Sequence, residues 1–85
     1  MTIISGQITD KKTNEGIFGA DVFVYDKFDN LKDKSKSTTD GYFQSGELAP
    51  LEAGKFHCIK RGYKTERQDW TGDGVYYVKM TESGN

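Results

Sequence analysis

Apolar and polar residues alternate along most of this chain, in short runs. Ile4, Gly6 and Ile8 share one face of an extended segment, and Val22 and Val24 share one face of the next. A period of two is typical of β-strands with one buried face. No window shows the three- and four-residue apolar spacing of a helix. The pattern predicts an all-β domain.

Later runs follow the same rule and predict which side chains face inward. We expect Phe56 and Cys58 on the inner face of one strand, and His57 and Ile59 on its outer face. In the last strand the inward set is predicted to be Tyr76, Val78 and Met80. The core is therefore expected to be built from rings and β-branched side chains.

Glycines and polar pairs separate the runs and predict the turns. The polar stretch 26–34 is interpreted as a long connection that turns at Asp29–Asn30, and Asp40–Gly41 separates two short strands. Residues 64–70 carry alternating charges and predict a protected edge strand, which leaves the other edge as the expected contact. The glycines of 71–74 predict a hairpin turn. About seven strands at this spacing predict a small β-sandwich with aligned sheets.

The length of 85 residues predicts a single domain over 1–81, with a flexible tail over 82–85. The net charge of −1 gives no basic field, so we expect no nucleic-acid partner. The sequence shows neither a signal-peptide pattern nor an apolar run that could span a membrane. We therefore expect synthesis in the cytosol and no membrane insertion, unless the chain is a fragment of an exported envelope protein.

Five short motifs follow one another along the chain. They are Gly6, Ile8 and Asp10; Gly19, Ala20 and Val22; Asp40, Gly41 and Phe43 after Thr38 or Thr39; Gly54 and Phe56; and Gly62 and Tyr63. In this order they resemble the carboxypeptidase regulatory-like domain, a seven-stranded, transthyretin-like (prealbumin-like, Ig-like) β-sandwich. The resemblance implies that Asp40–Gly41 and Gly62–Tyr63 are structural turns, with glycine in the left-handed conformation. Members of that family are usually modules of exported proteins.

The residues that could carry out catalysis are few. His57 is the only histidine and Cys58 the only cysteine, and neighbouring strand residues point to opposite faces. A related transthyretin-like enzyme, hydroxyisourate hydrolase, uses several histidines and a C-terminal Tyr-Arg-Gly-Ser segment, whereas this chain ends MTESGN. We expect no enzyme activity and no cofactor.

A metal site and a covalent cross-link are two further alternatives. Asp26, Asp29, Asp33 and Asp73 could supply oxygens to calcium, but lysines at 27, 32 and 34 interleave with them. A solvated loop of mixed charge is the preferred interpretation. An internal Lys–Asn isopeptide bond, known from some adhesin modules, would need an inward lysine that the first strand lacks.

Aromatic side chains on outer faces are the remaining signal of function. Alternation directs Phe23, Tyr25 and Tyr77 away from the core, and Tyr and Phe are enriched at protein interfaces. Trp70 could form a glycan-binding platform with nearby tyrosines, or it could seal an edge of the core. These four residues are the predicted partner-binding set.

The sequence thus favours a non-enzymatic structural or protein-interaction module. The first hypothesis is an accessory or decoration component of a large assembly, such as a phage particle or an injection spike, held by self-association or by a capsid or spike component. The alternative is a carbohydrate- or envelope-binding module of an exported multidomain protein.

Overall fold

The computed structural model describes residues 3–46, 48, 53–71 and 74–83. Its strands are β1 (Ile4–Asp10), β2 (Asp21–Asp26), β3 (Leu31–Lys36), β4 (Tyr42–Gln44), β5 (Ala53–Ile59), β6 (Glu66–Thr71) and β7 (Gly74–Met80). The described residues include no helix, and so none that could cross a membrane. The prediction of an all-β fold with seven strands is confirmed.

The strands form two sheets that enclose the core. The three-stranded sheet has the order β4-β1-β7, and the four-stranded sheet has the order β3-β2-β5-β6. Every pairing is antiparallel except that of β1 with β7, which is parallel. The first and last strands of the chain therefore lie side by side.

Alternating positions of the strands meet between the sheets. The buried apolar residues are Ile4, Ile8, Ile17, Ala20, Val22, Val24, Phe43, Leu48, Phe56, Cys58, Trp70, Val78 and Met80. The ring of Phe56, on β5, has its centroid 5.7 Å from those of both Phe43 and Tyr76, which belong to the opposite sheet. The predicted inner faces of β1, β2, β5 and β7 are confirmed.

The segment between β3 and β4 carries the chain from one sheet to the other. Thr38 accepts a hydrogen bond from the Gly41 N–H (2.9 Å), and the Ile8 N–H of β1 donates to the Gly41 carbonyl (2.8 Å). Gly41 has a φ of 86°, and a Cβ at this position would collide with the Ile8 carbonyl oxygen. Two separate constraints therefore require glycine at this turn.

The connection between β2 and β3 is shorter than predicted, because β3 starts at Leu31. The Asp26 carboxylate accepts the N–H groups of Phe28 (2.8 Å) and Asn30 (2.9 Å), and Asp29 adopts a φ of 66°. These bonds reverse the chain within residues 27–30. The predicted turn at Asp29–Asn30 lies at this reversal.

The prediction of a hairpin at 71–74 is wrong, because β6 and β7 belong to different sheets and do not pair. Residues 72–73 themselves lie outside the described part of the chain. β7 instead pairs in parallel with β1. Alternation alone gives no information on which sheet a strand joins.

Two residues of the predicted flexible tail are attached to the sandwich. Glu82 forms an isolated antiparallel bridge with Tyr63, and the Ser83 N–H donates to the Gly62 carbonyl at 2.9 Å. Residues 84–85 lie outside the described part.

Candidate functional site

Asp10 joins three segments at one end of the sandwich. Its Oδ1 accepts the N–H groups of Lys12 (2.7 Å) and Thr13 (3.1 Å), and its Oδ2 accepts the Tyr63 hydroxyl at 2.8 Å. The Tyr63 hydroxyl and the two N–H groups lower the pKa of Asp10, and the same bond raises the pKa of Tyr63 to about 12. Gly62, with a φ of 89°, forms the bend that brings Tyr63 to this position. The bonds tie β1 to the 62–63 bend, which is a structural role.

The carboxylates considered for calcium are engaged separately. Asp29 forms an ion pair with Lys55 at 2.7 Å, and Asp33 accepts the Gly46 N–H at 2.9 Å, while the Asp26 carboxylate closes the turn after β2. No group of three or more potential metal ligands occurs within 3–46, 48, 53–71 and 74–83. Asp73 lies outside those residues.

His57 and Cys58 point to opposite faces of β5. Cys58 is fully buried, and burial raises the pKa of its thiol to about 12. His57 lies on the outer face against the Tyr25 ring, with 4.7 Å between centroids. Partial burial, and then the charges of Arg67 and Lys55, lower the pKa of His57. Because the two side chains diverge, they form no nucleophile–base pair.

Lysine burial bears on the cross-link alternative. None of the described lysines is buried, so none lies between the sheets where an internal isopeptide bond would form.

Phe23 and Tyr25 lie half-buried on the outer face of the four-stranded sheet. Phe23 stands between Lys34 and His57 of the neighbouring strands. Tyr25 has Leu31 on one side and Lys55 on the other. Three of these four cross-strand neighbours are charged or polar, and only Leu31 adds apolar surface beside the rings.

Trp70 lies in the core with 1% of its surface exposed. It is paired with Gly54 on β5, and a Cβ at Gly54 would lie 2.9 Å from the indole nitrogen. The indole therefore fills space that glycine leaves open. The prediction of Trp70 as a surface residue for a partner or a glycan is corrected, since its ring seals the core.

Tyr77 is 70% exposed on the outer face of the three-stranded sheet. Gln7 of β1 is paired with both Tyr42 of β4 and Tyr77 of β7, so the three residues form a row across the sheet. In the neighbouring row, Ser5 is paired with Val75. Tyr42 is 54% exposed and Val75 61%. We call these five residues the tyrosine face.

The structure thus separates the predicted partner-binding residues. Tyr77 lies on the tyrosine face, Phe23 and Tyr25 lie on the opposite side of the sandwich, and Trp70 is in the core. Sequence reasoning missed Tyr42 as an outward side chain. Its position next to the inward Phe43 was the available signal.

Comparison with known proteins places the fold. No protein-family model matches this chain, and no curated protein matches it significantly. Shaft pilin SpaA of Lactobacillus rhamnosus GG superposes over 99% of the chain with a TM-score of 0.82 and 12% identity. The 5-hydroxyisourate hydrolase of Klebsiella pneumoniae superposes over 99% of the chain and 93% of its own, with a TM-score of 0.70 and 15% identity. The fold is a transthyretin-like sandwich.

Another structural neighbour is the T6 backbone pilin of serotype M6 Streptococcus pyogenes, with a TM-score of 0.68 and 24% identity over 85% of the chain. The chain spans only 16% of that pilin and 48% of the SpaA chain. At these identities the likeness extends to the fold alone.

Proposed function

We propose that this chain is a non-enzymatic structural module that joins a protein assembly through its tyrosine face. The observation that carries the proposal is the row Tyr42–Gln7–Tyr77, with Val75 beside it, on the outer surface of a sheet. None of the five residues of the face carries a charge. Tyrosine supplies contact area together with a hydrogen-bonding hydroxyl, and it is enriched at protein interfaces.

The strands below the face favour a preformed binding surface. Gln7 is held between both neighbouring strands, and β1 pairs with β7 along its whole length from Ile4 to Asp10. Little backbone ordering is then required when a partner binds, which lowers the entropic cost of association.

The structural neighbours suggest the kind of assembly. Two of them are a backbone pilin and a shaft pilin. By analogy of fold we favour a repeating surface fibre over the phage particle or injection spike that the sequence suggested. A carbohydrate-binding module is not favoured, because Trp70, the residue that motivated it, is buried.

The proposal is tested by incorporation into the native assembly. A tagged chain, wild type or Tyr42→Lys, is expressed in the source cells, and quantitative mass spectrometry measures how much sediments with large assemblies. A lysine at position 42 would have its ammonium group stripped of water at the interface without a partner. We therefore expect incorporation to fall by about tenfold or more. Phe28→Lys, which also replaces an exposed ring by one positive charge but on the β2–β3 turn, is the matched control.

Circular dichroism melts first establish that both variants are folded. Equal incorporation of the two variants, or a wild-type chain that never sediments with an assembly, would refute the proposal. Glycan binding that is lost in Tyr42→Lys would replace it with the carbohydrate-binding alternative.

A further inference from the structure

Four of the described strands lie at sheet edges, and three of these carry features that oppose pairing with another chain. Edge β3 has lysines at 32, 34 and 36 and a register shift against β2. Edge β6 carries three charged residues, Glu66, Arg67 and Asp69. Edge β4 is only three residues long. Lysines, irregularities and short length are the usual means of blocking an edge.

Edge β7 has the weakest of these protections, a single lysine. It is seven residues long, pairs with β1 without a register shift, and carries Lys79 as its single charge. Val75 and Tyr77 are exposed on its outer face. No described strand pairs with its other side.

The direction of the backbone groups shows which residues of β7 could hydrogen-bond to another strand. The Met80 carbonyl accepts the Lys11 N–H at 2.9 Å, on the side of β1. Because backbone groups alternate sides along a strand, Val75, Tyr77 and Lys79 direct their N–H and C=O groups to the open side. Beyond Met80 the edge is closed, since the Lys64 N–H donates to the Thr81 carbonyl at 2.8 Å. The open edge therefore coincides with β7 itself.

We propose that β7 pairs antiparallel with β7 of a second copy of this chain, about a two-fold axis at Tyr77. The proposal rests on the proposed function and names the partner of that assembly. Tyr77 then faces Tyr77 of the second copy, and Val75 faces Lys79 in both directions. The two three-stranded sheets become one continuous sheet of six strands.

Three features of β7 favour a second copy as the partner strand and place the two-fold axis at Tyr77. With the axis at Tyr77, the backbone N–H and C=O groups that Val75, Tyr77 and Lys79 direct to the open side all find partners. An axis at Tyr76 or Val78 would leave the backbone groups of one of these residues unpaired. The axis at Tyr77 also keeps the two lysines apart, and each Lys79 stem lies over Val75 of the other copy. An axis at Lys79 would instead place like charges opposite each other.

Length is the third feature. Gly74 of one copy comes opposite Met80 of the other, so the added strand ends where the edge is closed by Lys64. On the inner face, Tyr76 comes opposite Val78, which extends the apolar face of the core across the axis.

The test follows the purified chain over a concentration series to about 1 mM by sedimentation equilibrium, with amide hydrogen exchange measured by NMR on the same samples. We expect a monomer–dimer equilibrium. Exchange at Val75, Tyr77 and Lys79 should slow as the dimer forms. Exchange at Tyr76 and Val78 should be slow at every concentration, because these amides already bond to β1. A chain that stays monomeric, or a dimer in which the three outward amides remain unprotected, would overturn the proposal.

A charge at the axis supplies the second arm. Tyr77→Lys places two ammonium groups opposite each other, and we expect it to raise the dimer dissociation constant by about tenfold or more. Phe18→Lys, which changes an exposed ring in the connection between β1 and β2, should leave the constant unaltered. An equal effect of the two variants would contradict pairing at β7.

The two proposals fail independently. A monomeric chain whose Tyr42→Lys variant is excluded from the assembly would refute β7 pairing alone. A chain that dimerises through β7 but whose Tyr42→Lys variant incorporates normally would refute the tyrosine face alone.

Discussion

Gly41 meets two requirements that no other residue type satisfies together. Its backbone is left-handed, with a φ of 86°, and its α-carbon passes so close to β1 that a side chain would strike the Ile8 carbonyl. Gly62 has a similar φ of 89°, but a Cβ there would meet no atom within 4 Å. Comparing Gly41 with Gly62 therefore separates the free-energy cost of a left-handed backbone from the cost of a steric clash at Cβ.

We predict that Gly41→Ala destabilises the protein more than Gly62→Ala. Alanine in the left-handed region costs about 1–3 kcal/mol at either site, and only at position 41 must β1 also move. Urea unfolding monitored by circular dichroism gives both free energies of unfolding. Equal losses, or a greater loss at position 62, would show that the collision is relieved without cost.

Residue-level prediction succeeds where the cause is local. Alternation identified Val22, Val24 and Phe56 as buried and Tyr77 as outward. It could not pair Asp10 with the Tyr63 hydroxyl, because 53 residues separate the two and only the folded chain brings them together. For the same reason, the sequence could not show that Tyr42 and Tyr77 lie on the same surface.

At the scale of strands, the sequence predicted where most strands lie but not how they pair. The turn at residues 27–30 depends on the Asp26 side chain, so β3 began earlier than its polar composition suggested. The parallel pairing of β1 with β7 joins the two ends of the chain order, and no local signal encodes it. Sheet membership is therefore the part that sequence reasoning left undetermined.

The lysines of β3 are predicted to keep that edge from pairing with other chains. In the double variant Lys34→Ile and Lys36→Ile we expect a folded protein that aggregates faster at neutral pH, because an apolar edge strand templates pairing. Light scattering over time measures the rate. The double variant Lys11→Ile and Lys27→Ile, at two exposed turns, loses the same two charges and gains the same apolar side chains, and is the control. If the control aggregates as fast as the β3 variant, added apolar surface rather than edge protection is responsible.

At the scale of the whole molecule, two carboxylates link stability to pH. Hydrogen bonds lower the pKa of Asp10 and of Asp26 in the folded state from the ordinary value of 3.8. The unfolded chain then binds protons at a higher pH than the folded chain does. The stabilisation is complete above about pH 5 and is lost as the pH falls through 3.8 towards the folded-state values.

We therefore predict that the midpoint of urea unfolding falls as the pH is lowered from 5 to about 2. Asp10→Asn should unfold at lower urea at pH 7 and should lose less stability on acidification than the wild type. Denaturation curves at several pH values measure both effects. Two results would show that the Asp10 carboxylate does not set the pH dependence. One is a wild-type urea midpoint that stays constant down to pH 2, and the other is a midpoint that changes with pH as steeply in Asp10→Asn as in the wild type.

The parallel pairing of β1 with β7 also determines how the molecule responds to tension. Ile4 lies beside Gly74 and Asp10 lies beside Met80, so the entry of β1 and the exit of β7 are at opposite ends of the pair. A pull applied at those two points slides the strands lengthwise along each other. Every hydrogen bond between them is then loaded at once, and rupture requires all of them to break together. Strands loaded in shear in this way would let the domain resist a force applied at those two points without unravelling strand by strand.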